Sequence, residues 1–245
     1  MRLLDDFDKV DIGDYFDING IMPEHVAIIM DGNSYWANIR ELPPPSGYYA
    51  GMKNMKEMIS IQINIKCLTL YAFTSNYLMN SKYATDYLIH LPKLFYEDGM
   101  INRFIHNNVR LRFIGNLDRY PKEIQEMILE PDSLSEGNEG MIVNFAIDYG
   151  GRSDIIEAMH RCISSKGFII EDLTEEIFES YLYTNDCLAP DLLIRTIGEH
   201  QMSNLLLWQS SKSELWHTPT LWPDFNERLL YEAIGEFQKR RINMR

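Results

Sequence analysis

Positive charge is what this chain is shortest of: 23 Lys and Arg stand against 36 Asp and Glu, a net charge of −13. That balance excludes a basic nucleic-acid footprint and disfavours electrostatic docking to an anionic membrane, though not a lipid-like substrate held inside the fold. Cysteine is scarce as well. Cys67, Cys162 and Cys187 are odd in number and have no CxxC spacing, so they build neither a disulfide framework nor a zinc site. They read as reduced, mostly buried thiols of a cytoplasmic protein. Long apolar runs are missing, and nothing approaches the roughly 18 continuous residues of a transmembrane segment. Asp5, Asp6 and Asp8 stand where a secretion signal would be basic and then apolar. The histidines show no HExxH or close ligand pairing, and Ser210, Ser211 and Ser213 lack a nucleophile-elbow pattern.

What is present suits a single core domain: 245 residues, 45% of them hydrophobic. Residues 1–20 read as an acidic N-terminal arm and 21–245 as the main domain. The chain is organised around His25-Val26-Ala27-Ile28-Ile29-Met30-Asp31-Gly32-Asn33. The apolar run from Val26 to Met30 predicts a strand buried on both faces. Asp31-Gly32-Asn33 then forms a loop beyond its carboxyl end, before a helix. In α/β sheets ligands bind there, and a carboxylate among helix N-terminal amides suits a cation that grips phosphate. Asp-Gly and Gly-Asn are equally the punctuation of an ordinary turn.

Further strands are expected at Cys67–Phe73, Val109–Ile114, Met141–Ile147, Leu192–Ile194 and Leu205–Trp208. Helices are expected from Tyr48 to about Ile63, Tyr83 to about Asn107 with a break near Pro92 or Gly99, and Pro121 to about Leu129. Others run from about Ser153 to Ile163, from Thr174, and from Glu227 to Arg241. Pro43-Pro44-Pro45-Ser46-Gly47 reads as an extended break. This alternation predicts an α/β domain with a mostly parallel central sheet flanked by helices.

His25-Val-Ala-Ile-Ile-Met-Asp-Gly-Asn33 with Trp36-Ala37 resembles the first signature of the cis-prenyltransferases, the undecaprenyl diphosphate synthase family. Asp191-Leu-Leu-Ile-Arg195-Thr-Ile-Gly198-Glu199-His200 through Ser203-Asn204-Leu-Leu-Leu-Trp208-Gln209 resembles the second. Tyr149-Gly150-Gly151-Arg152 and Leu221-Trp222-Pro223-Asp224-Phe225 fit the same pattern, in order, from about Met22 to Arg241. The resemblance implies two diphosphate sites, a hydrophobic product tunnel, Mg2+ and isoprenoid diphosphate substrates. Asp31 matches the metal-binding aspartate and a catalytic residue, with Asn33 beside it. Gly32, Asn33, Trp36, Thr74, Asn76, Arg195 and Ser203 match substrate-binding positions; Asn76 does so only if its loop shifts by one residue. His200 and Glu214 match further metal positions, Glu214 commonly across a homodimer formed by the C-terminal third. The tunnel would be walled by the helices carrying Met52–Ile59 and Leu88–Phe95, although such spacing equally describes ordinary core.

The chain departs from the pattern where phosphate is gripped. The family's Asp-Gly-Asn-Gly-Arg-Trp is here Asp31-Gly32-Asn33-Ser34-Tyr35-Trp36. Pro44 replaces a second arginine, Tyr48 a histidine, and Gln201 a diphosphate-binding arginine; Ile197 stands where serine or glycine is usual. The Glu-Asn-Trp-x-Arg stretch of the next loop is lost from Thr74 to Ser81. Each charge-assisted contact is worth roughly 1.5–3 kcal/mol, so altered diphosphate binding follows. The resemblance leaves three readings. The first is an enzyme ionising short allylic diphosphates (dimethylallyl, geranyl or farnesyl) to an irregular, branched or cyclised product. The second is a long-chain polyprenyl diphosphate synthase using isopentenyl diphosphate with compensating cations. The third is a non-catalytic partner subunit.

Overall fold

The apolar runs become strands of one sheet in this computed structural model, which describes residues 12–61, 63–71, 99–118, 120–201 and 203–243. The strands are β1 (His25–Ile29), β2 (Cys67–Tyr71), β3 (Arg110–Ile114), β4 (Ile142–Ala146), β5 (Leu192–Arg195) and β6 (Glu214–His217). They lie in the order β3-β4-β2-β1-β5-β6, and every pairing is parallel. β1 and β2 are buried at every position, which is why they read as unbroken apolar runs. β1 has β2 on one side and β5 on the other, and the chain winds outward from there in opposite directions. That is the switch point at which α/β sheets open a crevice beyond their carboxyl ends.

The helices are α1 (Asn33–Asn38), α2 (Pro44–Ser60), α3 (Met100–His106), α4 (Lys122–Leu134), α5 (Gly151–Ser164), α6 (Glu175–Glu179) and α7 (Glu227–Asn243). Successive strand side chains alternate between faces. Val26, Ile28, Leu70, Phe145 and Ile194 pack with Met52, Met55 and Ile59 of α2 and with Ile234 of α7. Ala27, Ile29, Tyr71 and Leu193 face the other way, onto Tyr149, Leu205 and Leu206. The Met52–Ile59 stripe is therefore built into the main core. Its proposed companion wall, Leu88–Phe95, lies outside the described residues, as do Thr74–Ser81 and most of the helix expected from Tyr83. The described part of that helix, α3, starts after Gly99 in a left-handed conformation, at the expected break. Of the acidic arm, residues 12–20 lie along α7, where Asp17 N–H donates to Gln238 Oε1 at 2.9 Å. Among the described residues no helix is long and apolar enough to cross a membrane.

Three expectations are corrected. Pro44 and Pro45 open α2 instead of preceding it, because the first helical turn has no partner for the N–H that proline lacks. α4 continues past Leu129 through Pro131 to Leu134. Its end is tied down by the buried Ser135 hydroxyl, which donates to Pro131 O at 2.7 Å and accepts from Leu111 N–H at 2.9 Å. Leu205–Trp208 is no strand: Leu205 and Leu206 are fully buried but turn, Leu206 with φ +45°. A short apolar run signals burial without deciding conformation. The outer strand is Glu214–His217 instead.

Candidate active site

Asp31 stands just past β1, where the chain turns into α1. Gly32 makes that turn at φ +110°, and a Cβ on it would lie 2.9 Å from Leu221 Cδ2. The turn is pinned from behind. Thr196 Oγ1 donates to Asp31 O at 2.7 Å, and Trp222 N–H donates to the same carbonyl at 2.9 Å. α1 then lies against α2 through two glycines. A Cβ at Gly47 would sit 1.9 Å from Asn33 O, and one at Gly51 2.1 Å from Asn33 Oδ1. Trp222 locks the arrangement: its Nε1 donates to Gly51 O at 2.7 Å, and its carbonyl accepts from Asn54 Nδ2 at 2.7 Å.

Parallel pairing of β1 with β5 puts Arg195 beside Ile29 and hence next to Asp31. Its Nε and Nη2 both reach Asp31 Oδ2 at 3.1 Å, leaving Oδ1 outside the pair. Arg195 Nη1 donates to the Gln201 carbonyl. Burial raises the Asp31 carboxyl above its usual range; Arg195 opposes this through charge and hydrogen bonding, and the Glu199 charge adds to it. A carboxylate so placed fits a divalent cation. Magnesium characteristically takes one or two protein carboxylates and completes its shell with phosphate oxygens and water. Among the described residues no three His, Cys, Asp or Glu side chains converge, so any such cation would rest on Asp31 and on what it binds.

His217 of β6 pairs in register with Arg195, and the His200 ring lies 4.0 Å from the His217 ring, centroid to centroid. His200 is thereby brought to the Asp31–Arg195 end, and half-buried Ser203 follows on the same loop. Glu214 is not. It starts β6, beside Leu192, three strand residues or roughly 10 Å toward the other end, where Arg240 Nη1 lies 3.5 Å from its Oε2. Trp36 donates through Nε1 to Asp224 Oδ1 at 2.6 Å, and Arg40 stacks 4.2 Å over its ring while pairing with Asp224 at 2.9 Å. Thr74 and Asn76 lie outside the described residues.

The departures from the family pattern have visible consequences. Ser34 Oγ donates to Tyr48 Oη at 2.9 Å, so two of the replaced positions satisfy each other. Tyr35 and Tyr49 are exposed. Of the cations that could restore charge, Arg40 is paired with Asp224, and Arg240 sits with Glu214 and Glu236 away from Asp31. Thr196, Asp224 and Asp148 escaped the sequence reading as site residues. Asp148 is a buried carboxyl with φ +46° just past β4; its charge and that of Asp31 both add to the burial that raises the Tyr71 phenol. Its position one residue before Tyr149-Gly150-Gly151 was the available signal.

Residues 29–244 match a family model described as "Putative undecaprenyl diphosphate synthase". The chain belongs to the undecaprenyl diphosphate synthase family. It is 41% identical over 226 residues to an isoprenyl transferase of Bacillus anthracis, covering 90% of this chain and 87% of that one. An isoprenyl transferase of Bacillus subtilis is 40% identical over 228 residues, covering 91% and 87%. Two solved structures share the fold. Lavandulyl diphosphate synthase from Lavandula x intermedia, in complex with dimethylallyl diphosphate, superposes with a TM-score of 0.84 at 35% identity over 89% of this chain and 95% of that one. A probable undecaprenyl diphosphate synthase from Campylobacter jejuni gives 0.73 at 31% over 90% and 97%. The cis-prenyltransferase fold and an enzymatic, prenyl-transferring role follow from this membership.

Proposed function

We propose that this member of the family acts on short allylic diphosphates, dimethylallyl, geranyl or farnesyl, and releases pyrophosphate to give an irregular, branched or cyclised prenyl product. The observation that carries the reading is the charge of the crevice. Arg195 is the guanidinium that reaches Asp31, and it is already shared with that carboxylate and the Gln201 carbonyl. Tyr35, Pro44 and Gln201 occupy positions at which the family pattern has arginine. The likeness to a lavandulyl diphosphate synthase crystallised with dimethylallyl diphosphate supports the same substrate class.

In this reading Mg2+, when bound, neutralises the developing charge of the pyrophosphate leaving group. Asp31 would hold it through Oδ1, and His200 lies at the same end of the sheet. Arg195 binds the diphosphate, with Ser203 and the amides of Gly32 and Asn33 as further donors. Asp31 and Arg195 orient one another before substrate arrives, so little reorganisation is needed in the reaction. A homodimer through the C-terminal third belongs to the proposal. β6 is an edge strand of the sheet as described, Leu215 on it is 41% exposed, and only a second copy could bring a Glu214 to Asp31. Sedimentation at micromolar concentration tests that state.

The decisive experiment incubates the protein and Mg2+ with each allylic diphosphate, with and without isopentenyl diphosphate, and analyses products by mass spectrometry. Short products from allylic diphosphate alone are expected. Gln201→Arg with Tyr35→Arg should strengthen isopentenyl diphosphate binding, by up to roughly 1.5–3 kcal/mol per recovered contact. A ladder of long polyprenyl diphosphates from the unmodified protein would instead establish the elongase reading, which the 41% identity to a Bacillus isoprenyl transferase favours.

A further inference from the structure

At the amino end of the sheet, away from Asp31, Cys67 opens β2 and Cys187 lies in the segment leading to β5. Both sulfurs lie 3.3 Å from a single atom, Nδ2 of the fully buried Asn144 in β4. The two thiols therefore share one amide donor. Asn144 Oδ1 lies 3.8 Å from Cys187 Sγ, and Arg112 Nη1 lies 3.9 Å from it while pairing with Asp186. Cys67 is buried and Cys187 is partly exposed, so solvent reaches one member of the pair. Cys162 is buried in α5, outside this group.

We propose that Cys67 and Cys187 are a peroxide-reactive dithiol, with Cys187 attacking, Cys67 resolving, and an intramolecular disulfide as the product. Cys187 thiolate attacks one oxygen of a hydroperoxide; the S–O bond forms, the O–O bond breaks, and hydroxide or alkoxide leaves. Cys67 then attacks the Cys187 sulfur; the S–S bond forms, the S–O bond breaks, and the departing hydroxide takes the Cys67 proton to become water. Two thiols lose two electrons and two protons, and one hydroperoxide is reduced.

The surroundings support this division of labour. The neighbouring Cys67 thiol, the Asn144 amide and the Arg112 charge lower the Cys187 thiol to about 7, against burial and the Asp186 charge. The Cys67 thiol is raised, first by the neighbouring Cys187 and then by burial, so Cys187 is the more readily ionised of the two. A thiolate beside a guanidinium is the reactive form of cysteine.

The test treats the native, reduced protein with stoichiometric hydrogen peroxide near neutral pH and reads intact mass and peptide map. The expected result is loss of two hydrogens, one peptide pair joined through Cys67 and Cys187, and full reversal by dithiothreitol. Cys67→Ser should stop at a sulfenic acid on Cys187 that dimedone traps. The peptide map of the unmodified protein stands even if that variant fails to fold. Cys187 left unreacted, or carried to sulfinic acid without a Cys67 bridge, would overturn the proposal, as would faster oxidation of Cys162.

Discussion

His25 and Asp31 stand at opposite ends of the same strand: His25 is the first residue of β1, and Asp31 lies two residues past its last. At the amino end the polar groups are consumed by one another. His25 Nδ1 lies 2.6 Å from Leu188 O, and its Nε2 lies 2.8 Å from Thr69 Oγ1. Thr69 also accepts from Asn144 at 3.1 Å. The Asp191 carboxylate accepts from the amides of Glu24 and His25 at 2.8 and 3.1 Å. At the carboxyl end Asp31 keeps a side chain 39% exposed with Oδ1 outside its ion pair, and Asn33 Oδ1 is buried without a partner among the described residues. A closed network positions the strands; the other end keeps a carboxylate oxygen outside its ion pair, as the proposed function requires. Two titratable side chains at the two ends of one strand are thus told apart by what they touch.

The largest expected effect tests the open end. Asp31→Ala should cut turnover of allylic diphosphate by at least about 10²–10³-fold, the scale of losing one preorganised charge-stabilising group. Stability should fall by about 1–3 kcal/mol, the cost of leaving the mostly buried Arg195 without its carboxylate, while the backbone turn that Thr196 and Trp222 hold stays in place. Turnover near that of the unmodified protein would remove the catalytic reading of the first loop.

The closed end should answer to pH instead. Burial lowers His25 from 6.5 to about 4, against the Leu188 hydrogen bond and the Asp191 charge. Above 6.5 the side chain is neutral both folded and unfolded, and its contribution is complete. As pH falls below 6.5 the unfolded chain takes up a proton that the folded chain refuses. Stability therefore declines, by at most about 3 kcal/mol once pH is below 4. Asp31 and Asp154, raised by burial, bind protons more readily when folded and work in the opposite sense at lower pH. The Cys187 thiol, lowered to about 7, titrates in the same range, so the histidine is isolated as the difference between urea unfolding of the unmodified protein and of His25→Asn from about pH 7.5 to 5.5. His25→Asn should flatten the slope there, and an unchanged slope would mean that His25 titrates normally.

The same contrast explains what could be read from sequence. Strands buried on both faces write themselves as apolar runs, and β1 with Asp31-Gly32-Asn33 is visible for that reason. β6 has four residues whose exposure alternates, too few to stand out, while the fully apolar Leu205–Leu207 run buries itself without pairing. Arg195 and Asp31 are 164 residues apart, and only the parallel register between β1 and β5 joins them. Thr196 and Asp224 act through partners equally remote, so no local pattern announces them. Resemblance to a family supplied Arg195; periodicity did not.

Close backbone approach at the open end predicts the next effect. An added methyl at Gly51 would meet Asn33 Oδ1 at 2.1 Å and Trp222 Cδ1 at 2.9 Å. Gly51→Ala should therefore cost about 1–3 kcal/mol of stability as an overpacked contact, and it should lower activity by displacing Asn33. Gly137→Ala is the control, since nothing lies within 4 Å of a Cβ there. Equal melting temperatures for the two variants would mean that α1 yields freely.

The smallest effect concerns the loop that braces Arg195. Ile197 has φ +71°, followed by Gly198 at +75°, and their amides donate to Thr220 O at 2.9 Å and Thr218 O at 2.7 Å. A β-branched residue in the left-handed region is strained by roughly 1–2 kcal/mol. Glycine relieves that strain while losing about 0.5–1 kcal/mol of chain entropy on folding. Ile197→Ala keeps a Cβ and removes the side-chain packing; Ile197→Gly removes both. At an ordinary site the glycine variant would be the less stable of the two. Here it should be the more stable, by up to about 1 kcal/mol, or about 2–4 °C in melting temperature for a chain of this size. The reverse order would show that the left-handed turn is not what Ile197 strains against.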